Sequence, residues 1–352
     1  MNLLNVIDEL VEERDLDRTT LINVVIEGML AAYKKKYPHL ELRISFEANS
    51  GNLSVDILKD VVTSVEDEEC QISLRKARGA DSKIALGQKI WVPFDGSIGR
   101  VEILKARQII AQKIGAIEAR VIFDAFKSKE GTVVQGSVYK SERGGTVIKI
   151  QDAYAFLPQS LSIAGEKLVP GYPVKVLLKE VLLEPRNENQ LILDRASVDF
   201  LKRLFELEIP EVFERLVDIR KIVRDPGYKS KVMVSSHDAN IDPVGTCVGV
   251  GGVRIKPILK ELGGEKIDII TADASQEELV KSSLKPAEIN RVEVMNGVAR
   301  VWLDDEQRSL AIGKMGKNIA LASALLGLTI ELVENIDPNK KELLSDVGEN
   351  NE

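Results

Sequence analysis

The apolar positions of this chain switch between helical and strand spacing several times, and the switches divide it into segments. Leu3, Val6, Ile7 and Leu10 share one face of a predicted helix over 3–14. A second helix is predicted to start after Asp17, whose short carboxylate suits an N-cap. It runs through Leu21, Val25, Gly28, Met29 and Ala32 to Lys34, Lys35 and Lys36. Cations suit the negative end of a helix dipole, and Pro38 stops the run. Alternation over 41–47 and 53–62, and the string WVPF at 91–94, predict strands. Residues 100–127 then return to helical spacing, with Ile103, Ile110, Ile114, Ile117 and Val121 in a stripe and basic residues opposite. The pattern predicts one α+β domain over 1–130 that ends in a long connecting helix.

From Gly131 the pattern becomes short strands punctuated by glycine. Five are predicted, in GTVVQGSVYK, GGTVIKI, AYAFLP, YPVKVLLKEVLL and QLILDR. Five strands over 131–196 suit a small barrel of the OB type. Their order and the Gly-x-Val opening are similar to the barrel repeated in the largest small-subunit ribosomal protein. Such barrels bind single strands by stacking bases on aromatic rings, and Tyr139, Tyr154 and Phe156 are the candidates. The second strand has no aromatic residue, and the same three rings would serve equally as core or turn residues.

Two similar units follow, over 197–272 and 273–336. In the first, a strand ending at Arg224 leads into Asp225-Pro226-Gly227, which suits a type II turn, and then KVMVSS. Asp242-Pro243 then offers an N-cap with proline at the first helical position. In the second, Asn296-Gly297 joins two strands as a hairpin, and Asp304 with Gln307 predicts a capping box. The tail at 337–352 has no periodicity and is predicted to be disordered.

Each unit carries a G-x-x-G. The first is Gly249-Val250-Gly251-Gly252, and the second, 64 residues on, is Gly313-Lys314-Met315-Gly316. The same shift aligns Ile255 with Ile319, Leu262 with Leu326 and Gly263 with Gly327; one residue less aligns Ile267 with Ile330. This is an internal repeat of hairpin, helix, loop, helix and strand. A G-x-x-G between two helices is the KH arrangement, which lets backbone approach the ribose-phosphate of about four single-stranded nucleotides. Arg254, Lys256, Lys314 and Lys317 are the nearby cations, and Asn318 completes the candidate set. A third match, Gly96 to Gly99, follows a strand and is read as a plain turn. The string AIGKMGKN fails as a nucleotide-binding P-loop, which needs Gly at Ala311 and Ser or Thr at Asn318.

Composition narrows the chemistry. Hydrophobic residues are 44% and charged residues 29% of 352, an ordinary globular balance. No apolar run reaches the roughly 20 residues of a membrane span, and the early acidic residues do not form a signal peptide. Cys70 and Cys247 stand far apart, and His39 and His237 are the only imidazoles, so neither a disulfide framework nor a metal site is expected. No nucleophile–base set is visible, so no catalysis and no cofactor are expected. The reducing cytoplasm is the expected compartment. The net charge is −7, with −5 over 1–99, +3 over 100–130, +1 over 131–195 and −3 over 196–336. No broad field attracts phosphate, so RNA binding must come from local geometry.

Several strings are specific. VIDELVEERDLDRTTL, EGMLAAYKKKYP, VVTSVEDEECQISLRKAR, IWVPFDGSIGR, RDPGYKSKVMV, IDPVGTCVGVGGVR, KELGGEKIDII and LAIGKMGKNIALASALLG, in this order, resemble the NusA family of transcription factors. The resemblance implies a multidomain α+β chain with two tandem KH domains of the prokaryotic type. It implies RNA polymerase binding near the RNA exit channel through 1–130, and single-stranded nascent RNA on the barrel and both KH units. It further implies a monomer acting in pausing, intrinsic termination and antitermination, with other antitermination factors as further partners and no membrane association. Two residues depart from the pattern: Gly251 replaces a basic residue, and Pro257 falls in the following helix, which should therefore begin close to Arg254. No acidic repeats follow the second unit, which puts autoinhibition by them in doubt. An RNA-decay accessory built from the same modules, and a nucleotide hydrolase, are the alternatives.

Overall fold

A computed structural model of the chain describes residue 11 and residues 17–47, 52–80, 83–186 and 189–334. The predicted first helix and the tail at 337–352 lie outside the described residues, apart from Val11. The chain divides into two compact units between Ala125 and Phe126.

In the first unit, α1 (Arg18–Lys36) starts where expected, since the Asp17 carboxylate accepts from the Thr20 amide at 2.9 Å. β2 (Asn52–Val62) pairs antiparallel with β1 (Leu42–Glu47) and β4 (Lys89–Pro93) and parallel with β3 (Gln71–Ser73). Leu30, Tyr33 and Tyr37 pack on Leu40, Leu42, Ile57 and Phe94, which fastens α1 to the sheet. β3 and the short helix α2 (Leu74–Ala80) were not predicted, because three and seven residues hold too little periodicity to read.

The long helix α3 (Arg100–Phe126) is close to its predicted bounds. Ile114 and Ile117 pack against Leu21, and Ile110 lies over Gly28, where an added Cβ would stand 2.4 Å from the Ile110 side chain. Glycine is what lets the two helices approach there. The ends of the expected stripe differ: Ile103 is 51% and Val121 55% exposed, while Ala106 and Ala119 are buried. Spacing assigns residues to a face, but it does not say how far the partner surface extends along it.

The second unit opens with the barrel. β5 (Val133–Glu142), β6 (Gly145–Ile150), β7 (Ala153–Pro158), β8 (Pro173–Arg186) and β9 (Asn189–Asp194) close in the order β5-β6-β7-β9-β8. Ile148, Leu157, Val176, Leu178, Leu191 and Leu193 fill it and are fully buried. Closure leaves no free strand edge.

Two copies of one α/β arrangement follow. The first has α4 (Val198–Glu208), α5 (Pro210–Phe213), β10 (Val217–Asp225), β11 (Lys229–Ser236), α6 (Pro243–Val248), α7 (Ile255–Glu261) and β12 (Lys266–Thr271). The second has α8 (Gln276–Ser283), β13 (Arg291–Met295), β14 (Val298–Leu303), α9 (Asp305–Ile312), α10 (Lys317–Leu326) and β15 (Thr329–Glu334). In both sheets the middle strand pairs antiparallel with the first strand and parallel with the last. Gly227 has φ +79° after Pro226, as a type II turn requires. Asn296 and Gly297 both have positive φ, as a type I′ hairpin requires.

Capping differs from expectation in one place. Asp242 caps α6 through the Val244 amide at 3.1 Å. Asp304 makes no side-chain cap to α9: it accepts from Asn290 Nδ2, and Gln307 accepts from the Glu288 amide. Tertiary partners took both side chains. The complete capping box is Ser275 with Glu278, at the start of α8.

The barrel and the first copy share a core. Ile163 and Leu177 join Phe200, Leu204, Phe205, Val232, Ile258 and Leu262. The second copy has its own core around Val280, Val292, Val301 and Ala322.

Candidate nucleic-acid interface

The two loops have nearly the same backbone. Each turns on its first glycine, with φ +73° at Gly249 and +72° at Gly313. The third position is left-handed in both, Gly251 at φ +62° and Met315 at +53°. The fourth is also positive, Gly252 at +77° and Gly316 at +73°. A Cβ on Gly313 would lie 2.6 Å from that of Asn318, and one on Gly249 would lie 3.2 Å from the Arg254 nitrogen. The first glycine is therefore required both by its φ and by the close approach of the next helix.

What the loops display differs. The first shows Val250, 96% exposed, and no charge; the second shows Lys314 and Met315, the latter 84% exposed. α7 begins at Ile255, so Pro257 is its third residue, where no helical hydrogen bond is forfeited.

Of the four predicted cations, Lys256 and Lys314 are exposed. Arg254 is committed elsewhere: it bridges Glu211 at 2.8 Å and donates to the Thr246 carbonyl at 2.9 Å. Lys317 pairs with Asp225 at 2.5 Å and lies over the Tyr228 ring at 4.9 Å.

Asn318 is a correction. Its side chain is buried, which removes it from direct contact with RNA. Nδ2 donates to the carbonyls of Leu284, Leu310 and Ala311, and Oδ1 accepts from Lys229 Nζ at 3.0 Å. It thus ties the end of α9, just before the second loop, to β11 of the first copy.

Lys229 belongs to a larger junction that the sequence reading missed. Lys229 and Lys231 both stand 2.7 Å from Asp268, and Lys231 also donates to the Ser283 carbonyl at 2.7 Å. Lys231 is fully buried, and burial holds its ammonium below the usual lysine pKa, against the pull of Asp268. Lys221 donates to the Ala324 carbonyl at 2.6 Å. One signal was available: 229 and 231 share the strand face opposite Val232 and Val234, so two lysines face away from the first core. Nothing in the sequence said that another domain would cover them.

On the barrel, Tyr139 and Tyr154 are 50% and 52% exposed, with ring centroids 4.9 Å apart. The two candidate rings form one open pair, and Lys140 lies over Tyr139. Phe156 is half-buried. Gly96 to Gly99 is irregular chain between β4 and α3, in keeping with a turn.

Comparison with known proteins agrees with this order of parts. Residues 2–120 match the family model of the NusA N-terminal domain, 195–272 the NusA-like first KH domain and 276–340 the NusA-like second KH domain. The transcription termination/antitermination protein NusA of Thermus thermophilus is 33% identical over 93% of this chain and 89% of its own length. The chain belongs to the NusA family. The NusA protein of Borreliella burgdorferi is 35% identical over 93% of this chain and 68% of its own, and that of Bacillus subtilis is 30% identical over 95% and 91%. The NusA-like KH matches cover both loops and the lysine–asparagine junction between them. Among the described residues, no helix is long and apolar enough to cross a membrane, and no group of His, Cys, Asp and Glu could hold a metal ion.

Proposed function

We propose that this NusA-family chain binds RNA polymerase through residues 1–130 and single-stranded nascent RNA through the barrel at 131–196 and the KH units at 197–272 and 273–336. On this reading it acts in the cytoplasm as a monomer, regulates pausing, intrinsic termination and antitermination, and catalyses nothing itself. The observation that carries the RNA part is the pair of matched, exposed G-x-x-G loops, mounted on a body whose two halves are braced by buried hydrogen bonds. Backbone geometry at the loops suits a ribose-phosphate even though the region is net acidic. The net charge of −5 over 1–99 supports a protein partner for that end.

Linking the two activities has a physical purpose. Tethering RNA modules beside the exit channel raises avidity by about 10²–10⁴ without new contacts. Transcriptional pausing assayed with fragment 1–130, fragment 131–352, the two mixed, and the intact chain tests this. Only the intact chain should act fully at low concentration. Equal action by the unlinked mixture would exclude tethering, and failure of the tagged chain to retain RNA polymerase would exclude the partner.

A further inference from the structure

We infer that the cleft between the barrel and α7 is a third nucleotide site, which takes the stretch of single-stranded RNA next to the segment held by the first loop. This rests on the reading that the loops bind RNA. The cleft has a volume of about 830 Å³, with Pro257 and Lys260 of α7 on one side and Gln135, Lys167 and Tyr172 of the barrel on the other.

Its charge is set by one buried arginine. Glu166 and Glu261 line the cleft, and Arg195 holds both: Nε donates to Glu166 at 3.0 Å, Nη1 to the Glu261 carboxylate at 2.6 Å and Nη2 to the Glu261 carbonyl at 2.9 Å. Lys175, also on the wall, is paired with Glu208 at 2.6 Å. Lys167 and Lys260 are exposed and have no ion pair among the described residues. Arg195 offsets one of the two carboxylates, so Lys167 and Lys260 leave the lining positive by one charge, in a chain of net −7. Phosphate is the chemistry that matches it.

The remaining lining suits a base. Tyr172 is 66% exposed beside Pro173, a ring open for stacking, and the Gln135 amide is exposed with a donor and an acceptor to offer a base edge. The cleft also starts where the first loop ends. Pro257 is five residues past Gly252, and Lys256 and Lys260 share one face of α7, a turn apart. The proline that departs from the family pattern thus forms wall surface at no cost in helix hydrogen bonds. A strand leaving the first loop along this face meets Lys256, then Lys260, then Tyr172.

The test is fluorescence anisotropy of the full chain with oligoadenylates of about four nucleotides, the span of one KH clamp, and about twelve. Tyr172→Ser should weaken the twelve-mer about tenfold, within the range of one lost stacking contact. Lys167→Glu with Lys260→Glu should flatten its salt dependence by about two phosphate contacts. Both should leave the four-mer unchanged. Unchanged binding of the twelve-mer overturns the site, and so does an equal loss on both lengths. Lys314→Asp with Met315→Asp probes the loops alone. If that variant weakens RNA while the cleft variants do not, the loops stand and the cleft falls. If only the cleft variants weaken it, the continuous path falls. Loss of an oligoglutamate rather than of RNA on Tyr172→Ser would assign the cleft to an acidic peptide and overturn the RNA site. All these side chains are exposed, so folding is retained.

Discussion

The two KH units share one backbone plan but fill the same interior seat in opposite ways. In the first, Arg224, Ser230 and Glu265 occupy it. Arg224 and Glu265 form a fully buried pair at 2.9 Å, Ser230 donates to Glu265 at 2.5 Å and the Gly227 amide donates to it at 2.9 Å. Strand register places Val294, Ala299 and Leu328 at the matching positions of the second unit, all in its apolar core. One seat is thus held by hydrogen-bonded charge and the other by hydrocarbon. The fold needs the seat filled and satisfied, and either chemistry does that. The polar version has one added effect: it fixes the Asp225–Tyr228 turn, whose Asp225 and Tyr228 receive Lys317 of the second unit.

The largest expected effect comes from breaking the polar seat. Glu265→Leu alone strands a buried guanidinium and should cost about 3–5 kcal/mol in urea unfolding. Arg224→Val, Ser230→Ala and Glu265→Leu together copy the second unit and should recover most of that loss, because exchanging a whole buried pair for apolar groups is often neutral. A triple variant as unstable as the single one would mean that the Ser197 carbonyl and the Gly227 amide, which the network also serves, dominate.

The loops come next. Lys314→Asp with Met315→Asp should lower affinity for single-stranded RNA about tenfold to a hundredfold, measured over several salt concentrations. Val250→Asp with Gly251→Asp should cost less, since the first loop has no cation to lose. A larger loss from the first loop would reverse the ranking.

The junction should respond less than the buried pair. Asn318→Leu takes one buried acceptor from the Lys229 ammonium, which keeps Asp268, and removes the donor that Asn318 gives to the Leu310 and Ala311 carbonyls; it should cost about 1–3 kcal/mol. In a double-mutant cycle with Lys229→Met, the pair should show coupling of about 0.5–3 kcal/mol. Strict additivity would show that the bond does not join the units energetically.

Much of this was legible in the chain. The five barrel strands, the long helix, both turns and both loops follow from period, proline and glycine, because their causes are local. The motif position of Asn318 resembles that of a contact residue, whereas its side chain turns inward to three carbonyls of its own unit and to Lys229 of the first. Lys231 was passed over for a related reason, since lysine is almost never fully buried unless paired and its partner, Asp268, is on a different strand. The Asp304 box failed because Asn290 and Glu288 compete for its two side chains. In each case the deciding partner is distant in sequence, and a local pattern cannot supply it.

The smallest effect belongs to the one position where the loops differ in conformational cost. Met315 holds φ +53°, which costs a side-chain-bearing residue about 1–2 kcal/mol, while Gly251 adopts +62° freely. Met315→Gly relieves that strain but gives the unfolded chain more freedom, worth about 0.5–1 kcal/mol in the other direction. The net change should be a stabilisation below about 1 kcal/mol. Gly251→Met imposes the strain with nothing to offset it beyond the same entropy term, so it should destabilise by a similar small amount. The space at Gly251 is open, with nothing within 4 Å of an added Cβ, so no clash confuses the comparison. RNA affinity separates strain from function. If the second loop tolerates its strain because the exposed thioether lies against a base, Met315→Gly should raise stability and lower affinity severalfold at once. Higher stability with unchanged affinity would show that Met315 is an accident of the loop rather than part of its grip.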